Sequence, residues 1–102
     1  MSKKSPYSGK PWLKNYPKGV KPNLDYPVIP LYGLLELSAK DFPDNDALVM
    51  MGRTIKYGEL KTLVDKLAPA FTGIGVRKGD TVALHFPNVV QFVIGYYGAL
   101  KA

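Results

Sequence analysis

The sequence has no cysteine and only one histidine and one tryptophan among its 102 residues. Without cysteine there is no disulfide framework, no thiol nucleophile and no cysteine ligand for zinc. The basic N-terminus also lacks the apolar segment of a secretory signal. A chain of this length forms at most one domain, and we expect it to be cytoplasmic.

Charge is absent from residues 81–100, which read TVALHFPNVVQFVIGYYGAL. Twenty uncharged residues could indicate a membrane span. Pro87 and Asn88 divide this stretch near its middle, however, and polar side chains lie on both sides of them. We therefore predict a buried strand followed by a helix rather than a span.

The predicted strand covers Thr81–Phe86, and Asn88 is predicted to cap the helix with Gln91 completing a capping box. Gly95 and Gly98 would let another backbone approach this helix closely. No Gly or Pro follows to end the helix, so we expect the C-terminus to be truncated.

Positive charge is concentrated in residues 1–30, which we call the strap. The strap has six lysines and one aspartate, a net charge of +5, whereas residues 31–102 have eight basic and seven acidic side chains, a net charge of +1. Six of the nine prolines are also here, so we predict an extended segment without a long helix. Its apolar residues are expected to lie along a folded surface: Trp12, Leu13, Tyr16, Val20, Leu24, Tyr26, Val28 and Ile29.

Lysines interleaved with aromatic residues could alternatively form a nucleic-acid-binding arm or a segment attracted to anionic membranes. Such lysines are most often simply solvated. No amphipathic helix accompanies the charge, which weakens the membrane interpretation.

The next residues predict a helix that ends before Pro43, with one apolar stripe made of Leu31, Leu34, Leu35, Ser38 and Phe42. Asp44-Asn45-Asp46 is typical of a turn. It lacks the further oxygen ligands of a calcium loop.

Residues 47–51 and 54–57 predict a β-hairpin with Gly52-Arg53 in its turn. A second helix should bury one face made of Leu60, Leu63, Val64, Leu67 and Phe71. Asp65 is expected to pair with Lys61 on this helix, and Pro69 to kink or stop it.

Gly73 and Gly75 are candidate C-terminal caps of that helix. Together with Gly79 they could suggest a phosphate-binding loop, but such loops follow a strand and open a helix, whereas these glycines follow a helix. His85 has no nucleophile beside it in sequence, so we predict a structural or solvent-facing role. No catalytic, cofactor-binding or metal-ligating residue is predicted in this chain.

The predicted order of elements is strap, helix, β-hairpin, helix, strand and helix, an α/β arrangement with a right-handed crossover if the strands at residues 54 and 81 are parallel. This order closely resembles the start of the adenylate-forming enzymes. The resemblance rests on the order and spacing of Phe42-Pro43-Asp44, Ala47-Leu48, Tyr57 with Glu59-Leu60, Gly75-Val76 with Gly79-Asp80, and Pro87-Asn88.

Upstream, KPWLKNYPKGV, Tyr26-Pro27 and Pro30-Leu31-Tyr32 resemble the leader of long- and medium-chain fatty acyl-CoA ligases. Two departures concern local helix geometry. Lys56 stands where the family usually has Ser or Thr, so that Glu59 lacks its capping partner, and Pro69 interrupts a helix that is usually smooth.

The resemblance implies an N-terminal piece of the large domain of such an enzyme, incomplete alone, with residues 1–30 as the strap and 31–102 as the first α/β portion. The parent enzyme would use ATP, Mg²⁺ and coenzyme A to convert a fatty acid to an acyl-adenylate and then to a thioester. The family's catalytic and nucleotide-binding motifs do not occur in these residues. We therefore expect this piece to bind no cofactor by itself.

Exposed apolar faces would favour a homodimer or other self-association of the isolated piece. No nucleic-acid partner is expected, and membrane contact would be at most peripheral. The alternative hypothesis is a stand-alone basic module that binds nucleic acid, anionic lipid or a protein partner.

Overall fold

The computed structural model describes residues 3–102, and its elements confirm the α/β class. Helix α1 spans Leu31–Asp41, strands β1 and β2 span Asp46–Met50 and Arg53–Lys56, helix α2 spans Tyr57–Gly73 and helix α3 spans Val90–Lys101. Helix α2 packs against both other helices and the hairpin. The core therefore lies around α2, where Leu35, Ile55, Leu60 and Val64 are buried.

Helix α1 ends before Pro43 as predicted, but its buried face differs from the predicted stripe. Leu35 is buried together with Ala39, whereas Leu31, Leu34 and Phe42 are exposed. The helix meets α2 and α3 through the narrower Leu35 and Ala39 face, so the rest of the apolar stripe faces outward.

The hairpin is confirmed, with its turn one residue earlier than predicted. Met51 and Gly52 occupy the turn with φ angles of 49° and 77°. Two successive positive φ values are those of a type I′ turn, whose twist suits a two-residue hairpin. Arg53 consequently belongs to β2, where it pairs with Met50.

Helix α2 has no side-chain cap at Lys56, in agreement with the predicted departure from the family pattern. Backbone carbonyls of the preceding turn satisfy its first amides instead. Tyr57 N–H donates to Asn45 O at 3.1 Å, and Gly58 N–H donates to Pro43 O at 3.0 Å. A Cβ at Gly58 would lie 3.3 Å from that same oxygen, so the close approach favours glycine.

Of the predicted kink or early stop at Pro69, the early stop is wrong, because α2 continues four residues beyond it to Gly73. The helix then closes with Gly75 at φ 104°. Gly75 N–H donates to Thr72 O and Val76 N–H donates to Phe71 O, both at 3.1 Å, which is the Schellman arrangement. The prediction of a glycine cap at Gly75 is confirmed.

Residues 81–86 do not form the predicted strand, and the only sheet in the described chain is the two-stranded β1–β2 hairpin. A strand requires a neighbour for its backbone hydrogen bonds, and neither strand of the hairpin pairs with this segment. The predicted parallel crossover is therefore absent from residues 3–102. Val82 and Leu84 are half-buried while Thr81, Ala83 and His85 are exposed, so the alternation of side chains is strand-like.

The predicted capping box at Asn88 and Gln91 is also wrong. The N-cap of α3 is Val89, and no side chain caps it. Val89 N–H instead donates to Pro87 O at 2.8 Å, which turns the chain before the helix begins.

Within residues 3–30 the strap forms no long helix, as predicted, and contains a short 3₁₀ helix at Pro11–Asn15 with turns at residues 6–9 and 18–19. The expectation that its apolar residues lie along a folded surface is not met, because all eight except Leu13 are exposed. The radius of gyration is 19.1 Å, compared with about 13 Å for a compact domain of this length. The strap thus lies largely outside the packed helices, and its first two residues lie outside the described part.

Candidate functional site

The three helices meet at a charged junction, which we define as Lys101, Asp65, Glu36 and Lys61. Lys101 Nζ donates to Asp65 Oδ1 and to Glu36 Oε1, each at 2.5 Å. Lys61 also donates to Asp65, which confirms the predicted pair on α2. One cation from α3 therefore joins a carboxylate of α1 and a carboxylate of α2.

Burial at this charged junction is partial. The side chain of Lys101 is 27% exposed and that of Asp65 is 34% exposed. The Lys101 Nζ atom also lies 5.8 Å from the centroid of the Tyr32 ring, within reach of a cation–π attraction. Water therefore screens these charges in part, and aromatic and carboxylate groups supply the remaining contacts.

The ion pairs shift two pKa values in opposite directions. Hydrogen bonds from Lys101 and then Lys61 hold the pKa of Asp65 below its ordinary value, although burial opposes this effect. Hydrogen bonds to Asp65 and then Glu36 raise the pKa of Lys101. Both shifts favour the charged forms, so the charged junction acts as an electrostatic tie rather than as a proton donor or acceptor at neutral pH.

An open groove of about 620 Å³ lies beside the charged junction, between α3 and the segment around residues 76–84. Val82, Leu84 and Tyr96 contribute apolar surface to it, and Arg77 is also among its lining residues. The Arg77 guanidinium donates to Thr72 O and Val76 O, each at 3.0 Å. This cation thus stabilises the C-terminal end of α2 and is already committed to backbone oxygens.

The glycine-rich turn after α2 uses three successive backbone amides for hydrogen bonds within the chain. The amides of Gly75 and Val76 donate to carbonyls of α2, as described above, and the amide of Arg77 donates to Asp80 Oδ2 at 2.8 Å. A phosphate site needs free amides that point at the anion. These three amides are therefore not free to bind an anion.

The remaining sequence candidates lie apart from the charged junction. His85 is exposed in the extended segment, and Asp44 and Asp46 are exposed in and beside the turn before β1. Within residues 3–102, no three His, Asp or Glu side chains gather in a group that could hold a metal ion. Among the described helices, none combines the length and apolar character that a membrane crossing requires.

Sequence reasoning found one pair of the charged junction and missed the rest. Lys61 and Asp65 lie four residues apart on one helix, a local signal. Lys101 lies 36 residues from Asp65 and 65 residues from Glu36, so no spacing rule connects them. The available signal was the position of Lys101 one turn beyond Tyr97 on the packed face of α3.

A family model and the similar known proteins indicate the same enzyme family for this chain. The family model described as AMP-binding enzyme matches residues 35–102. The chain is 40% identical over 95 residues to the long-chain-fatty-acid-CoA ligase of Bacillus subtilis (strain 168), covering 93% of this chain and 17% of that protein. It is 40% identical over 74 residues to the oxalate-CoA ligase of Arabidopsis thaliana, covering 71% of this chain and 14% of that protein.

A further relative is triostin synthetase I of Streptomyces triostinicus, 37% identical over 73 residues that cover 72% of this chain and 14% of that protein. No solved structure matches the chain. The chain thus spans about a sixth of the length of the curated relatives it matches.

Proposed function

Because the chain belongs to the AMP-binding enzyme family, we propose that it forms the N-terminal scaffold portion of an ATP-dependent fatty acid-CoA ligase. The whole protein would join a fatty acid carboxylate to AMP with release of pyrophosphate. The thiol of coenzyme A would then displace AMP to give the thioester. Residues 3–102 contribute packing surfaces to this enzyme rather than reacting groups.

The observation that carries this proposal is that the sequence alignments with fatty acid-CoA ligases extend into the strap. The alignment with the Bacillus subtilis ligase leaves only seven residues of the chain outside it, so at least 23 residues of the strap are aligned. Ligases of the same printed name from Yersinia pestis and Salmonella typhi cover 91% of the chain. The alignment with the oxalate-CoA ligase covers only 71% of the chain. The comparisons lend no support to the alternative of a stand-alone basic module.

The scaffold role follows from how the polar groups of the chain are used. The helix-end amides around Gly75 and the guanidinium of Arg77 are occupied by backbone or carboxylate partners. The charges of Lys101 and Asp65 are paired with each other. We therefore assign the binding of ATP, Mg²⁺ and coenzyme A to other parts of the enzyme.

The test is an assay of the full-length gene product for fatty-acid-dependent release of pyrophosphate from ATP. Fatty acids of several chain lengths are compared with oxalate, which the name of one relative mentions, and with free amino acids as a further class of carboxylate. We expect pyrophosphate release with fatty acids, formation of AMP, and thioester formation only when coenzyme A is added.

The 102-residue chain assayed alone is the control, and we expect it to release no pyrophosphate and to bind no ATP. Pyrophosphate release that requires an amino acid or oxalate instead of a fatty acid would agree with the AMP-binding family but contradict a fatty acid as the substrate. Absence of release with every carboxylate would overturn the ligase proposal. The cytoplasmic location stays a prediction.

A further inference from the structure

The tip of the β-hairpin carries a methionine that contributes little to the fold. Met51 has a φ angle of 49°, in the left-handed region, and it is 98% exposed. A residue with a Cβ is unfavourable in that region, and the first central position of a type I′ turn is usually Asn, Asp or Gly. Met51 therefore neither favours the turn conformation nor adds to the core.

The space around this tip is open. A Cβ built on Gly52, the second residue of the turn, would meet no atom within 4 Å. Val49, two residues before Met51, is 69% exposed, and Arg53 after the turn is exposed as well. A small molecule from solvent can therefore approach the thioether of Met51 from most directions.

The neighbouring methionine has the same chemistry in a different environment. Met50 is half-buried and lines two small grooves, of about 220 and 190 Å³, together with Val90 of α3. It also pairs with Arg53 across the hairpin. A polar group on the Met50 sulfur would lie against apolar surface, whereas one on the Met51 sulfur would lie in water.

We propose that Met51 is a reversible oxidation site for hydroperoxides. A lone pair of its sulfur attacks one peroxide oxygen, the S–O bond forms as the O–O bond breaks, and the released hydroxide takes up a proton to give water. The sulfur loses two electrons and the peroxide gains them. The 102 residues contain no cysteine, so no thiol among them competes for the oxidant.

The reverse step belongs to the methionine sulfoxide reductases, one enzyme for each epimer of the sulfoxide. Two thiols supply two electrons and become a disulfide, and the oxygen leaves as water. Oxidation converts an exposed apolar side chain to a polar one and leaves the contacts of Met50 with α3 in place. The hairpin can therefore pass through the oxidised state without unfolding, independently of any ligase activity.

The experiment is a time course of the full-length protein in dilute hydrogen peroxide, followed by tryptic digestion and mass spectrometry. Both methionines fall in the peptide of residues 41–53, and fragment ions assign the added oxygen to one or the other. We expect Met51 to be oxidised at least about tenfold faster than Met50 in the folded protein, because access of the oxidant sets the rate. In the protein unfolded in guanidinium the two rates should be nearly equal.

The oxidised protein is then treated with both reductases, which should restore Met51 to the thioether. The midpoint of urea unfolding should not change when Met51 alone is oxidised. Met51→Leu is the matched control, and in this variant Met50 should remain slow to oxidise.

Equal rates at the two methionines in the folded protein would overturn the proposal, as would a Met51 rate far below that of the unfolded chain, which would show that another part of the enzyme covers the tip. A Met51 sulfoxide that resists both reductases would contradict reversibility. A lower unfolding midpoint after peroxide treatment of the parent, but not of Met51→Leu, would contradict tolerance of the oxidised state.

Discussion

At the scale of single residues, Gly95 and Gly98 show how a helix face can depend on the absence of a side chain. Both glycines are buried, and what approaches them is a side chain rather than the predicted backbone. A Cβ at Gly98 would lie 2.9 Å from Leu67 Cδ2 and 3.1 Å from its Cγ, whereas a Cβ at Gly95 would meet only the methyl end of Leu84, at 3.0 Å. Leu84 can rotate its methyl groups, but Leu67 would have to move as a whole.

We predict that Gly98→Ala lowers the free energy of unfolding by about 1 kcal/mol, because overpacking outweighs the gain in helix propensity. Gly95→Ala should change it by less than about 0.5 kcal/mol, since the two effects nearly cancel there. Urea denaturation followed by circular dichroism measures both variants side by side. Equal destabilisation by the two substitutions would show that contact with Leu67 does not make a side chain at position 98 more costly than one at position 95.

The charged junction gives a prediction for pH dependence. Its ion pairs lower the pKa of Asp65, so their contribution is present above the unfolded-state pKa of about 4 and is lost as pH falls through the lower folded value. The raised pKa of Lys101 means that its contribution is present below the unfolded-state value of about 10.4 and is lost as pH rises through the folded one. The ion pairs of the charged junction therefore contribute their full stabilisation across the neutral pH range.

We predict that Asp65→Asn lowers the free energy of unfolding at pH 7 by about 1 kcal/mol, a modest value because the site is partly solvated. The difference from the parent protein should shrink as pH falls below the unfolded-state pKa of about 4, because the parent then loses the contribution of the lowered Asp65 pKa. Asp44→Asn, in an exposed turn, is the matched control and should leave the pH profile nearly unchanged. A difference of constant size from pH 3 to pH 7 would contradict the electrostatic interpretation.

At the scale of elements, Pro69 within α2 is an unfavourable residue that tertiary packing tolerates. It lies in the interior of a 17-residue helix and is exposed, and it has no N–H to donate to the carbonyl of Asp65. Leu60, Val64 and Ala68 are buried on the same helix. Their burial along one face of α2 outweighs the local defect, which explains why the helix continues to Gly73.

We predict that Pro69→Ala raises the free energy of unfolding by about 1 to 2 kcal/mol, because the restored hydrogen bond exceeds the entropy that proline removes from the unfolded chain. Pro87→Ala, in the turn before α3, should instead leave stability unchanged or lower it slightly. Thermal unfolding of the two variants compares them directly. A decrease for Pro69→Ala would mean that its ring makes contacts that alanine cannot replace.

Elements with local causes were predictable from the sequence, and those that depend on distant partners were not. The hairpin and the Gly75 cap follow from turn chemistry within a few residues. Residues 81–86 have the alternating pattern of a strand, yet pairing depends on a neighbour that periodicity does not reveal. Lys101 likewise joins Glu36 and Asp65 only through the packing of three helices.

At the scale of the whole molecule, the balance between packed and exposed apolar surface determines how the 102-residue chain behaves alone. Its core is small, and α1 exposes a row that includes Leu31, Leu34 and Leu37. The strap adds further exposed aromatic and aliphatic residues. Exposed apolar surface of this extent drives association between copies or with another surface.

We predict that the 102-residue chain self-associates at concentrations of tens of micromolar, which sedimentation velocity would reveal as a concentration-dependent coefficient. Replacing Leu34 and Leu37 together by Gln should reduce association with little loss of stability, because both side chains are already about half exposed.

Replacing Lys14, Lys18 and Lys21 by Gln is the matched control. It removes positive charge without removing apolar surface, so association should persist or increase as repulsion falls. A monomer at every concentration, or association abolished by the lysine substitutions alone, would show that the α1 row is not the surface through which copies meet.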